Sequence, residues 1–192
     1  MHIESFWEYS CRVYRQASVS ERCLHLQDEY ALDVNLLLMC CWHAETRGVI
    51  DGSSLKQMIS QSQEWSNNVV SPLRGVRRWM KTRLMQEGSS QGLASEQLIA
   101  LREDIKKLEL RTEQYQQAFL EKMVARLPAE QNETQRLQAA SRCFHELFLQ
   151  QKRVVSDELI EASSDLIVAV VSHTALGHDQ ARTISMQSLR LA

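Results

Sequence analysis

Apolar positions recur along most of this chain at intervals of three and four residues, the spacing that places side chains on one face of an α-helix. The run of residues 36–42 differs, because it is apolar on every side. Such a helix has no polar face to present to water and must lie at the centre of a packed bundle. Asp33 is placed to cap its start and Gly48 to end it. The pattern therefore predicts an all-α protein, a helical bundle organised around this segment.

A stretch rich in glycine and serine, residues 88–95, interrupts the helical rhythm and predicts a linker. It separates an N-terminal helical unit, residues 1–87, from a second helical unit at residues 96–176. The sequence after residue 176 is polar and has no clear period. We therefore expect a flexible tail at residues 177–192.

Heptad spacing is strongest in the second unit. Up to Phe119, apolar residues follow one another at alternating intervals of three and four residues. Pro128 must end this helix, and the same alternation of intervals begins again after it. Two such helices joined by a short turn predict a long antiparallel helical hairpin in the C-terminal half, followed by one more packing helix. Alternatively, the first seam pairs with a second copy of the chain and forms a homodimer. That seam consists of Leu98, Leu101, Ile105, Leu108, Thr112, Tyr115 and Phe119.

Composition narrows the class of protein further. Six glycines and two prolines in 192 residues are too few for the many turns of a β-sandwich or barrel. A net charge of −2 gives no overall attraction to nucleic acid or to acidic membranes. The five cysteines show no paired spacing, which favours buried thiols in a reducing compartment. The sequence shows neither a signal peptide nor an apolar run of about 20 residues, the length needed to cross a membrane. We therefore expect a cytoplasmic protein with no membrane association.

A basic helix face is the clearest candidate for chemistry. Ser71 followed by Pro72 predicts a helix N-terminus, and no acidic residue occurs from there until Glu87. The cations after Ser71 repel each other, so they need acidic neighbours in the fold or an anionic partner, which the free amides of the helix end also attract. Trp79 beside this face is expected in the core, with an anchor for a partner contact as the alternative. The predicted anion- or partner-binding residues are Ser71, Arg74, Arg77, Arg78, Lys81 and Arg83.

Two other polar groups favour structural roles. Asp28, Asp33 and Asn35 bracket a tight turn between two helices, where they can satisfy exposed backbone donors. Glu21, His25 and Asp28 share a helix face without the pattern of a known metal site, so surface ion pairs are expected there. The chain also lacks a nucleophile elbow and a glycine-rich phosphate loop. We therefore predict no catalytic residue, no metal and no cofactor.

Short motifs are spread over the first two thirds of the chain: Phe6-Trp7, Cys23-Leu24, Leu26-Gln27-Asp28, DVNLLL at 33–38, Trp42, Arg47-Gly48, and Val70, Pro72-Leu73-Arg74 and Arg77. Together they resemble an uncharacterised proteobacterial family of small helical proteins without an assigned activity. The resemblance covers about residues 1–125, and the LQD and DVNLLL segments are its most specific part. It implies a bacterial cytoplasmic protein and supplies no catalytic residues.

Three hypotheses for function follow. The favoured one is a non-enzymatic interaction or regulatory protein whose basic helix face binds an acidic protein or a phosphate-bearing ligand. The second is binding of RNA or another nucleic acid through the same face, which the overall neutrality of the chain weakens. The third is an enzyme whose pocket contains Asp28, Asp33 or His25.

Overall fold

The computed structural model of the protein describes residues 4–86, 93–124, 130–171 and 174–191. These residues form nine α-helices and no β-strand, which confirms the predicted all-α helical bundle. The helices are α1 (Phe6–Tyr14), α2 (Ala17–Tyr30), α3 (Val34–Thr46), α4 (Gly52–Trp65), α5 (Ser71–Gln86), α6 (Leu93–Lys122), α7 (Glu133–Gln150), α8 (Asp157–Val170) and α9 (His178–Leu191). A π-helical turn, Ser66–Val70, connects α4 to α5. None of the described helices is both long enough and apolar enough to cross a membrane.

The chain folds into two compact units that differ from the predicted division. The larger unit contains Met1–Ile59 and Gln117–Ala192, and the smaller one contains Ser60–Gln116. Most of the predicted linker at 88–95 lies outside the described residues, but its last three residues already belong to α6. Helix formation starts that early because leucine and alanine, the first two residues of α6, both have high helix propensity.

Helix α3 provides the core of the larger unit. All nine residues from Leu36 to Ala44 are buried, and α3 packs on α1, α2 and α7. The Asp33 carboxylate caps the helix by accepting a hydrogen bond of 2.8 Å from the amide of Asn35. Gly48, with φ of +91°, takes the left-handed conformation that ends the segment. An all-round apolar sequence thus becomes the most deeply buried helix of this unit.

The C-terminal segment is helical, where the sequence predicts a flexible tail at 177–192. Helix α9 packs on α7 and α8 and buries Ser185 and Leu189. The hydroxyl oxygens of Ser185 and Ser141 lie 3.1 Å apart, and Nδ1 of His145 lies 2.7 Å from the carbonyl oxygen of Leu189. The sequence pattern misses this helix because its buried face consists largely of small and polar residues rather than a stripe of leucines.

In the predicted hairpin, α7 packs on α6, but in the structure α7 has other neighbours. It packs on α3, α8 and α9, against which Leu137, Phe144 and Phe148 are fully buried. On α6, the seam residues Leu101 and Tyr115 are 49% and 59% exposed. The heptad rhythm shows that a helix carries an apolar stripe but not which helix covers it. Because α3 is apolar all round, it offers α7 more apolar surface than a seam flanked by charges.

All five cysteines are free thiols. Cys23, Cys40, Cys41 and Cys143 are buried, and Cys11 is partly buried. Burial raises the pKa of Cys23 to about 12, because a thiolate is poorly solvated in an apolar interior. Cys23 therefore packs as a small apolar group and is a poor nucleophile.

Candidate partner-binding surface on α5

The basic helix has no N-terminus at Ser71, where the sequence predicts one. Ser71 has helical dihedral angles, φ −64° and ψ −41°, and its amide donates a hydrogen bond to the carbonyl oxygen of Ser66. Helix α4, the π-helical turn and α5 are therefore continuous. In a regular α-helix the Pro72 ring would clash with the carbonyl four residues earlier, and the wider π-helical turn relieves this clash. Ser71 is not an N-cap, and its amide is not available to an anion.

Polar side chains connect the two helical arms of the smaller unit. Residue numbers fall along α6 as they rise from the end of α4 into α5, so the arms are antiparallel. The indole nitrogen of Trp65 donates to the carbonyl of Thr112 at 3.0 Å, and its ring lies 4.8 Å from that of Tyr115, centroid to centroid. The hydrogen-bonded pairs are Ser62 with Gln116, Trp65 with Thr112, and Arg74 and Arg77 with Glu109.

Two of the five predicted cations pair with a buried carboxylate. Glu109, which is 6% exposed, accepts hydrogen bonds from Nε of Arg74 at 2.9 Å and from Nε of Arg77 at 2.5 Å. Arg74 also donates through Nη2 to Glu113 at 2.9 Å. Burial alone would raise the pKa of Glu109, but the hydrogen bonds and positive charges of Arg77 and Arg74 outweigh burial and lower it. These two arginines hold α5 against α6.

The remaining cations of α5 lie on its exposed side. Arg78 and Lys81 are exposed, and within the described ranges neither side chain has an ion-pair partner. Arg83 is exposed as well. Trp79 is 64% exposed and Val76 is 43% exposed. We define the α5 surface as Gly75, Val76, Arg78, Trp79, Lys81 and Arg83.

Trp79 is exposed, although the sequence placed it in the core. Met80 is buried, and Leu73 and Leu84 are partly buried, so these residues mark the inward side of α5. At 100° per residue, Trp79 points well away from that side. Helical geometry alone could have identified it, together with Gly75 one turn earlier, as members of an exposed face.

The structure places Asp28, Asp33 and Asn35 around the turn between α2 and α3. Asp33 caps α3, and Oδ1 of Asn35 accepts a hydrogen bond of 2.7 Å from Nε2 of Gln117. Ala31 ends α2 in the left-handed conformation, with φ of 51°, which glycine would adopt with less strain. Asp28 is exposed. These contacts fix the path of the chain between the two helices.

Across the residues that the structure describes, no group of three or more His, Cys, Asp or Glu side chains could hold a metal ion. A cavity of about 280 Å³ lies in the larger unit. It contains none of Asp28, Asp33 and His25, the candidates for an enzyme. Its lining residues are Arg12, Gln16, Val168, Ala169, Val170, Val171 and Thr174.

Comparison with known proteins identifies a family. A family model described as a protein of unknown function (DUF2390) matches residues 5–120. This range runs from the N-cap of α1 into the last turn of α6 and includes the whole α5 surface, whereas α7, α8 and α9 follow it. No match was found among curated proteins or among solved structures. The matched range covers more than half of the chain, which therefore belongs to the DUF2390 family, whose function is unknown.

Proposed function

We propose that the protein is a non-enzymatic interaction protein that binds an acidic partner protein through the α5 surface. The observation that supports this most directly is the exposed Trp79 on the same helix as the exposed cations Arg78 and Lys81. Tryptophan and arginine are the residue types most enriched at the energetic centres of protein interfaces. A carboxylate on the partner would compensate charges that the described part of this chain leaves without an ion pair.

The buried ion pairs give the α5 surface a fixed position. Arg74 and Arg77 bind Glu109 on the inward side of α5, and Arg78, Lys81 and Arg83 are exposed. A surface that is already ordered loses less conformational entropy when a partner binds. Arg74 and Arg77 thus act within the fold, whereas Arg78 and Lys81 are the cations that we assign to a partner.

A phosphate-bearing small ligand fits this surface less well than a protein. The predicted phosphate site depended partly on free amides at Ser71, and the Ser71 amide is hydrogen-bonded within a continuous helix. What remains is one face of a helix, which is convex, whereas small-molecule sites are concave. A large acidic surface can contact Arg78, Lys81 and Arg83 together.

Nucleic acid is also a weaker candidate. Its affinity grows with the number of phosphates that a protein neutralises. Arg74 and Arg77 are engaged by acidic side chains, which leaves few cations on α5 for phosphates, and the chain carries a net charge of −2. We place the proposed interaction in the bacterial cytoplasm, because free buried thiols suit a reducing compartment.

Charge reversal tests the proposal. Three proteins are immobilised: the wild type, Arg78→Glu/Lys81→Glu, and a control, Lys56→Glu/Arg111→Glu. Each is exposed to lysate of a bacterium that encodes the protein, once with and once without nuclease treatment. The control makes the same change in net charge at exposed helix positions outside the α5 surface. We expect the wild type and the control to retain the same acidic proteins and the double reversal on α5 to lose them, as quantified by mass spectrometry.

Two results would contradict the proposal. One is equal retention by all three proteins, which would show that Arg78 and Lys81 are not needed. The other is retention that disappears on nuclease treatment and falls steeply with salt, which would show that nucleic acid is the ligand.

A further inference from the structure

We infer that the partner contributes an acidic amphipathic α-helix, which packs lengthwise on the α5 surface over Gly75 and against Trp79. This inference rests on the proposed function, that the α5 surface binds an acidic protein. It specifies the secondary structure and the charge of the segment that makes the contact.

Gly75 is the first observation that points to a close contact. It lies inside α5, where glycine is less favourable than any residue except proline. A Cβ atom at this position would have no neighbouring atom within 4 Å, so packing inside the protein does not require glycine here. The missing side chain leaves open space on an exposed helix face, into which the backbone of a partner can move.

Trp79 stands next to this open space. It follows Gly75 by four residues, so the smallest and the largest side chains are neighbours one turn apart on the helix surface. Val76, three residues before Trp79, adds a second exposed apolar group. A notch beside a ridge is the shape into which the side-chain rows of a second helix pack, and a small residue at the crossing brings the two axes closer.

The charges around Trp79 set the chemistry of the partner helix. Arg83 follows Trp79 by one turn and Arg78 follows Gly75 by three residues, so both border this face, and Lys81 is exposed further round the helix. No Asp or Glu occurs in residues 65–86. Complementarity therefore requires Glu or Asp beside the apolar face of the partner, whereas a basic helix would meet like charges.

An extended partner segment fits this surface poorly. Extended peptides bind by adding a strand to a sheet edge or by lying in an aromatic-lined groove. No strand occurs in the described parts of the chain, and Trp79 is the single aromatic residue of α5. From Pro72 to Met85, α5 offers a face about 20 Å long at 1.5 Å per residue, which a partner helix of similar length can follow.

Peptide selection tests the class of the partner. A phage library of random 20-residue peptides, without bias in charge or secondary structure, is selected on the wild type and counter-selected on Trp79→Ala. We expect survivors rich in Glu and Asp, with apolar residues three or four apart, that become helical on binding as measured by circular dichroism. Survivors that are basic or extended, or a selection without enrichment, would overturn the inference.

Substitution of Gly75 tests the contact itself. The best selected peptide is titrated against the wild type, Gly75→Ala, Gly75→Leu and a control, Gly177→Ala, whose position is also open. We expect Gly75→Leu to weaken binding about tenfold through overpacking and Gly75→Ala to weaken it less. Both changes at Gly75 should raise the melting temperature, because alanine and leucine favour the helix. The control should bind like the wild type.

The outcomes separate the inference from the proposed function. If Gly75→Leu binds as tightly as the wild type while Arg78→Glu/Lys81→Glu does not bind, the close helical contact is wrong and the basic surface stands. If the double charge reversal also leaves binding unchanged, both are wrong.

Discussion

Glu109 determines which arginines of α5 are engaged within the fold. In the sequence, Arg74, Arg77, Arg78 and Lys81 form one stripe with equivalent spacing. In the structure, Arg74 and Arg77 bind the buried Glu109 carboxylate, and the other two are exposed. The sequence could show the stripe but not this difference, because the register between helices more than 30 residues apart is a tertiary property.

Replacing Glu109 tests this distinction. Glu109→Gln should lower the free energy of unfolding by about 2 kcal/mol, because the partly buried Arg77 loses its charged acceptor and Arg74 loses one of its two. Asp104→Asn, at an exposed ion pair of the same helix, should change it by less than about 0.5 kcal/mol. Urea denaturation followed by circular dichroism measures both. Equal effects of the two substitutions would show that Glu109 is not the anchor of α5.

The same carboxylate should give stability a pH dependence. The pKa of Glu109 in the folded protein is lowered, so its charged form stabilises the fold above the pKa of an unfolded glutamate, near pH 4.3. This contribution is lost as the pH falls through the folded-state pKa. The stability difference between the wild type and Glu109→Gln should therefore be complete at neutral pH and shrink in acid.

Among the helices, those with a pronounced apolar pattern could be predicted from the sequence. The run at 36–42 correctly predicted the central helix α3. Helix α9 was missed because its buried residues include Ser185 and little leucine. The π-helical turn was missed because Ser71-Pro72 is a local signal for a helix start, whereas continuity with α4 depends on a hydrogen bond from Ser71 to Ser66.

The role of α9 can be measured at two leucines of the same helix. Leu189 is fully buried and Leu191 is 85% exposed. Leu189→Ala should therefore lower the free energy of unfolding by about 3 kcal/mol, and Leu191→Ala by no more than about 0.5 kcal/mol. Chemical denaturation gives both values. If neither substitution has an effect, the segment contributes nothing to the fold and the expectation of a loose tail is correct.

At the scale of the molecule, the two units are stabilised in different ways. The larger unit has a continuous apolar core centred on α3. The smaller unit buries polar groups such as Glu109 and Gln116, while Trp79 and Tyr115 remain exposed. A unit held by polar pairs, with apolar groups on its outside, is typical of a surface that associates with another molecule. A homodimer through the α6 seam stays a prediction.

Photo-crosslinking from position 79 tests the central claim most directly, because it reports both the partner and the place of contact. The photoreactive amino acid p-benzoylphenylalanine replaces Trp79 or, as a control, the exposed Leu149 of α7, in living bacteria. We predict a discrete adduct from position 79 with an acidic helical segment of another protein, absent from position 149 and lost when Arg78→Glu/Lys81→Glu is added. No adduct from position 79, or the same adduct from both positions, would contradict a binding surface on α5.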